Sequence, residues 1–179
     1  MTWRVVVTGS ECTGKTTLAQ AIARQLAAPW VAEPARAYAE TRDGALSVAD
    51  VVPIAHATIT LHDAALATAP PELVFDTDLV STVVYARAYY EQCPPWIVTA
   101  AGLRRGDLYL LCEPDLPWVP DGVRDRPDAA ARAAMHRAFA ATLGELGIPF
   151  VTVHGDGPSR TDSALAAVTA ARTRSALTR

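Results

Sequence analysis

One eight-residue stretch near the start of the chain limits the possible folds more than any other feature. Gly9–Thr16 reads Gly-Ser-Glu-Cys-Thr-Gly-Lys-Thr and fits the pattern G-x-x-x-x-G-K-T. The apolar run Arg4–Val7 precedes it, and Leu18, Ile22 and Leu26 follow it at helical spacing. A strand, a glycine-containing loop and a helix in this order are the context in which the pattern binds phosphate groups. The sequence therefore predicts a loop that receives a nucleoside triphosphate.

The residue types in this loop suit the binding of a phosphate chain. Glycines let the loop curl so that successive backbone N–H groups point inward, and the helix that begins near Lys15 adds the positive end of its dipole. The Lys15 ammonium can reach the β- and γ-phosphates, and the Thr16 hydroxyl can hold Mg²⁺. We therefore expect ATP and Mg²⁺ as cofactors. The residues of this stretch predicted to bind the nucleotide are Gly9, Glu11, Cys12, Thr13, Gly14, Lys15, Thr16 and Thr17.

The composition argues against several classes of protein. Half of the 179 residues are hydrophobic, which is typical of one globular domain, and we predict a single domain over residues 1–179. The net charge of −3 provides no basic surface for nucleic acid. No apolar run approaches the length of a membrane span, the start of the chain lacks an apolar leader, and three scattered cysteines do not indicate disulfides. We expect a cytoplasmic protein that binds neither nucleic acid nor membrane.

Short apolar runs alternate with helical patterns along the chain. Runs that are apolar on both faces are typical of parallel strands covered by helices on two sides. The predicted strands are Arg4–Val7, Trp30–Ala32, Leu73–Phe75, Leu108–Cys112 and Ile148–Val153. We predict an α/β three-layer sandwich of P-loop type, with a five-stranded parallel sheet and a lid over approximately residues 113–137. Chemistry is then expected at the carboxyl ends of the strands.

Carboxylates follow the second and third predicted strands. Glu33 can accept a proton from an attacking hydroxyl or hold that hydroxyl in line, unless it only pairs with Arg36 in solvent. Asp76 and Asp78 resemble a pair that binds Mg²⁺ and a substrate hydroxyl, with helix capping as the alternative for Asp78. We expect these side chains to converge beside the γ-phosphate. Asp76 would then serve the metal, and Glu33, Arg36 and Asp78 the acceptor.

Further candidates lie in the loops at the same edge of the sheet. Glu11 faces either the acceptor or the solvent. Arg124 and Arg126 follow the fourth strand and can neutralise charge on a transferring phosphoryl group, or else belong to a solvated basic loop. Trp118 stacks on a heterocyclic base or packs within the lid. Arg160 covers the adenine or is an ordinary charge at the start of a helix.

Taken together, these motifs resemble the ribosylnicotinamide kinase domain of NadR-type proteins. The resemblance covers nearly the whole chain and includes the phosphate loop, Glu33-x-x-Arg36, Asp76-Thr77-Asp78 with Thr82, and Trp118-x-x-Asp121-Gly122-x-Arg124. It implies transfer of a phosphoryl group from ATP to the 5′-hydroxyl of nicotinamide riboside, with Mg²⁺. NadR-type proteins usually carry an adenylyltransferase domain ahead of the kinase, and some a DNA-binding domain, which this sequence does not contain.

Two other functions fit the same motifs. The first is another nucleoside or nucleotide kinase, because the Glu33-Pro34 strand end also resembles that of deoxynucleoside kinases. The second is a nucleotide-gated regulatory module without catalysis. The set of carboxylates beside a phosphate loop favours a kinase over a pure switch, since a switch has little use for groups that face an acceptor.

Overall fold

The computed structural model of the chain describes residues 2–42, 46–117 and 128–177. Its strands are β1 (Trp3–Thr8), β2 (Trp30–Val31), β3 (Glu72–Asp76), β4 (Leu108–Cys112) and β5 (Phe150–Val153). Its α-helices are α1 (Lys15–Gln25), α2 (Pro34–Glu40), α3 (Val51–Ala67), α4 (Leu79–Tyr90), α5 (Pro95–Leu103), α6 (Ala129–Glu145) and α7 (Gly157–Leu177). A 3₁₀ turn, Val48–Asp50, precedes α3. The predicted residues Trp118, Arg124 and Arg126 lie outside the described ranges.

The five strands form one parallel sheet in the order β2-β3-β1-β4-β5. The first strand is therefore central, and its neighbours are β3 and β4. Its residue Val7 is level with Asp76 of β3 and with Leu110 of β4. This register carries the end of β3 to the same edge as the loop that follows β1. The predicted five-stranded parallel sheet is confirmed.

Helices cover both faces of the sheet, because alternate residues of each strand point to opposite sides. Val5, Val7 and Val74 pack with α1 and α7 on one face. Val6 and Phe75 point the other way and pack with α3, α4, α5 and α6. The predicted three-layer sandwich is thus confirmed, with two apolar layers that position the strand ends firmly.

The sixth helix shows how the segment after β4 is anchored to the body of the protein. Met135, Phe139 and Leu143 recur at helical spacing, are buried, and pack in the layer that contains α4. Residues 129–137 of the predicted lid belong to this helix. Among the described residues, no helix is long and apolar enough to cross a membrane.

Candidate active site

The loop between β1 and α1 curls tightly beneath the end of β4. Gly9 has a φ of +139°, and a Cβ there would lie 2.9 Å from the Cys112 carbonyl oxygen. Gly14 has a φ of +69°, and a Cβ there would meet Leu116 Cδ1 at 2.9 Å. Cys12 also adopts the left-handed region, with a φ of 54°. Gly9 therefore needs glycine for both conformation and space, and Gly14 needs it for its positive φ, which explains the glycine spacing of the motif.

The loop ends on a helix whose first N–H groups have no partner within the helix. Gly14 caps α1 without a side-chain hydrogen bond, so the amides of Lys15, Thr16 and Thr17 remain available. The Lys15 side chain is only 9% exposed, and its Nζ donates to the Ser10 carbonyl oxygen over 2.9 Å. A cluster of free amides and a buried ammonium forms the phosphate cradle of a P-loop nucleotide site.

Asp76 at the end of β3 reaches the first turn of α1. The Thr16 hydroxyl donates to Asp76 Oδ2 over 2.5 Å, and Asp76 is 1% exposed. Burial raises the pKa of Asp76 to about 6, against the opposing effect of the Thr16 hydrogen bond. Asp76 Oδ1 is buried and has no hydrogen-bond partner within the described part of the chain. An orphaned carboxylate oxygen beside a threonine hydroxyl suits a hard cation held by oxygen ligands.

Glu33 and Arg36, at the start of α2, line a cavity together with residues of the phosphate loop. A cavity of about 80 Å³ is lined by both residues and by the loop residues Cys12, Thr13, Gly14, Lys15, Thr16 and Thr17. Glu33 Oε2 lies 3.9 Å from Arg36 Nε, so the ion pair considered as an alternative is present. Glu33 nevertheless borders the phosphate cradle. The structure therefore brings Glu33, Arg36 and the phosphate loop together, as expected.

Asp78 lies elsewhere, contrary to the expectation that the carboxylates converge. Its Oδ1 accepts from Val80 N over 3.0 Å, which confirms the helix-capping alternative, and its Oδ2 accepts from the Tyr109 hydroxyl. Burial raises the pKa of Asp78 to about 6. The residue lines a second cavity, of about 240 Å³, together with Arg4 and His62. The role predicted for Asp78 at the acceptor stays a prediction that these contacts do not favour.

Glu11 turns toward α4 and not toward the solvent. Glu11 Oε1 accepts from the Tyr89 hydroxyl over 3.1 Å, and its Oε2 is buried without a hydrogen-bond donor among the residues that the structure describes. The solvent-facing alternative is therefore wrong. A buried carboxylate oxygen without a donor is energetically costly, so Oε2 is free to accept a hydrogen bond from a bound molecule.

Two buried arginines support the loop from behind, and sequence reasoning assigned only one of them. Arg160 of α7 donates to the carbonyl oxygens of Thr13 and Gly155 and pairs with Asp115, so it does not present an open face to an adenine. Its predicted adenine contact stays a prediction. Arg132 of α6 was not singled out, although its position on the buried stripe of that helix was a readable signal.

Comparison with known proteins identifies the family. Residues 4–160 match the AAA domain family, and the chain belongs to that family. It is 30% identical over 153 residues to the trifunctional NAD biosynthesis/regulator protein NadR of Salmonella typhimurium (strain LT2), and 29% identical to NadR of Escherichia coli (strain K12). Each alignment covers 83% of this chain and 37% of the relative. The chain thus spans about a third of the length of these curated relatives, and the resemblance inferred from the motifs is confirmed.

Solved structures show the same relationship in three dimensions. The crystal structure of NadR protein in complex with NR superposes with a TM-score of 0.81 at 28% identity, covering 93% of this chain and 50% of that one. Thymidylate kinase from Ehrlichia chaffeensis superposes with a TM-score of 0.66 at 12% identity, covering 93% of this chain and 98% of that one. The second likeness shows the shared fold alone.

The buried charge of Asp76 leads to a prediction about stability. Because the pKa of Asp76 is higher in the native state than in the unfolded chain, the native state holds this proton more tightly. The contribution of Asp76 to the unfolding free energy of the nucleotide-free protein should therefore fall by on the order of 2–3 kcal/mol as the pH rises from about 4 to about 7. Asp76→Asn should remove that contribution in urea melts with EDTA present. Asp162→Asn, at an exposed position of α7, is the control, and an Asp76→Asn curve parallel to wild type would contradict the prediction.

The contact between Tyr109 and Asp78 leads to a second prediction. Tyr109→Phe removes the hydroxyl that donates to Asp78 Oδ2, so a buried carboxylate loses a donor. We expect a loss of about 1–3 kcal/mol in unfolding free energy, larger near pH 8 than near pH 5, because the ionised carboxylate depends most on the donor. In an Asp78→Asn background the pH dependence of this loss should vanish. Persistence of that pH dependence in the double variant would show that another group causes it.

Proposed function

We propose that this member of the AAA domain family is an ATP-dependent kinase that phosphorylates the 5′-hydroxyl of a ribonucleoside, with nicotinamide riboside as the acceptor. The single observation that carries the proposal is the cavity in which Glu33 borders the phosphate loop next to Lys15 and Thr16. A pure nucleotide switch has no need for an acceptor carboxylate at that place. The choice of acceptor is supported by the likeness to the NadR structure whose ligand is NR.

Magnesium suits the residues at the end of β3. The Thr16 hydroxyl and the orphaned oxygen of Asp76 would hold the ion, together with phosphate oxygens of the nucleotide. When bound, Mg²⁺ neutralises charge on the phosphates. Its binding would also favour the ionised form of Asp76, whose pKa burial raises to about 6. The structure thus provides a carboxylate that is costly to keep charged until a cation arrives.

The remaining steps fall to side chains and backbone amides of this chain. The amides at the start of α1 and the Lys15 ammonium bind and orient the β- and γ-phosphates. Phosphoryl transfer needs little covalent chemistry from the protein, so positioning and charge stabilisation dominate. We infer that Glu33 holds the acceptor hydroxyl in line and accepts its proton, and that Arg36 and Glu11 contribute to the acceptor side. Trp118, Arg124 and Arg126 keep the roles predicted from the sequence, as an aromatic partner of the base and as cations for the transition state.

A panel of acceptors tests this function directly. ADP release should depend on both Mg²⁺ and nicotinamide riboside, and adenosine, cytidine, deoxynucleosides and thymidylate should be poorer acceptors. Turnover of a deoxynucleoside or a nucleotide in preference to the riboside would replace the proposed acceptor. ATP binding without turnover of any acceptor would reject the kinase proposal and favour the regulatory module.

Two substitutions separate the nucleotide side from the acceptor side. Lys15→Ala should lower turnover by about 100-fold or more, because it removes a cation from the developing charge. Glu33→Gln should lower kcat with little change in ATP affinity, because Glu33 contacts the acceptor. Arg24→Ala, at an exposed position on the same helix as Lys15, is the control. If Glu33→Gln turned over at nearly the wild-type rate, Glu33 would not be a catalytic residue.

A further inference from the structure

Two arginines from different helices converge on the outer side of the phosphate loop. Arg132 of α6 is 6% exposed and Arg160 of α7 is 4% exposed. A guanidinium has five N–H donors and is rarely buried unless it is fixed to acceptors. Their burial at the same loop therefore indicates a specific task, and packing of the two helices alone would be served better by apolar side chains.

Each arginine holds a different carbonyl group of the loop. Arg132 Nη2 donates to Cys12 O over 3.3 Å and to Leu116 O over 2.9 Å. Arg160 Nη2 donates to Thr13 O over 2.8 Å, while its Nη1 donates to Asp115 Oδ1 over 3.0 Å. Two successive peptide groups are thus fixed from behind, and each guanidinium is itself tied to the chain that follows β4.

The geometry of the peptide bond converts these contacts into an orientation of N–H groups. In a planar trans peptide, the carbonyl of one residue and the N–H of the next point in opposite directions. A Cys12 carbonyl held toward Arg132 therefore turns the Thr13 N–H away from it, and a Thr13 carbonyl held toward Arg160 does the same for the Gly14 N–H. Among the described residues neither amide donates a hydrogen bond.

The residues that line the cavity agree with amides that turn away from the arginines. Cys12, Thr13 and Gly14 line it, whereas neither arginine belongs to the described residues that do so. Cys12 also has a φ of 54°, a conformation that costs a non-glycine residue energy and persists only where the surroundings enforce it. The carbonyl contact to Arg132 is one such enforcing contact.

We propose that Arg132 and Arg160 are positioning residues, which hold the peptide groups of the loop so that the Thr13 and Gly14 amides face a bound phosphate chain. They act through the backbone and do not touch the transferred group. This inference goes beyond the proposed kinase activity, because it concerns phosphate binding itself and holds whichever acceptor is used.

Inorganic tripolyphosphate is the appropriate probe, since it binds through the loop and needs no base, acceptor or turnover. In wild type, its binding should move the amide proton resonances of Thr13 and Gly14 downfield, as hydrogen bonds to phosphate do. Arg132→Met and Arg160→Met should raise the Kd of tripolyphosphate by about 10-fold or more, because the amides would lose hydrogen bonds to a charged ligand. Both variants should also reduce the two amide shifts. Arg137→Met, at an exposed position on the same helix as Arg132, should bind as wild type.

The lysine variants guard against loss of folding and separate positioning from charge. Arg132→Lys and Arg160→Lys keep the positive charge but lose the forked donor, so their Kd values should lie between those of wild type and the methionine variants. Wild-type affinity and wild-type amide shifts in both lysine variants would show that charge alone suffices and would overturn the proposal. Wild-type affinity and amide shifts in folded methionine variants would also overturn the proposal. So would a loss of tripolyphosphate affinity in Arg137→Met as large as that in Arg132→Met. Failure of riboside turnover would leave this test unaffected.

Discussion

The candidate site depends above all on a row of backbone N–H groups for which the described residues provide no hydrogen-bond acceptor. Residues of the loop after β1 and of the first turn of α1 line one cavity, and the first amides of α1 have no acceptor within the helix. Such a site is incomplete until an anion occupies it. The loop lies among glycine at the tight approach to Cys112, Lys15 held against Ser10, and two arginines that donate to its carbonyl oxygens.

The central position of β1 explains why other groups lie beside this loop. Because β3 is its immediate neighbour and Asp76 is level with Val7, the Asp76 carboxylate emerges beside the first turn of α1. Because β2 pairs with β3 on its far side, the start of α2 brings Glu33 to the same edge. A sheet with a different strand order would place the same residues far apart. The order of the strands thus determines which carboxylates lie beside the phosphate loop.

Much of the fold and the nucleotide side could be predicted from the sequence, because both follow from local patterns. The glycine spacing, the apolar strand runs and the helical stripe of α6 each depend on residues close together in the chain. Arg132 was missed for the opposite reason, since its partner Cys12 lies 120 residues away and no local pattern reports that contact. The position of Arg132 among apolar neighbours on a buried stripe indicated that its guanidinium is buried. It did not indicate which carbonyl oxygen accepts its hydrogen bond.

The separation of Asp76 from Asp78 is a feature that the sequence pattern did not predict. The two carboxylates were expected to converge beside the γ-phosphate, with Asp76 at the metal and Asp78 at the acceptor. Thr77 between them has a φ of 67°, and its amide donates to the Val7 carbonyl oxygen, so the chain turns out of the strand at this point. Asp76 consequently stays with α1, while Asp78 crosses to the face of Tyr109 and caps α4. One carboxylate of the motif thus accepts a hydrogen bond from Thr16 of the helix after the phosphate loop, and the other caps the helix that follows β3.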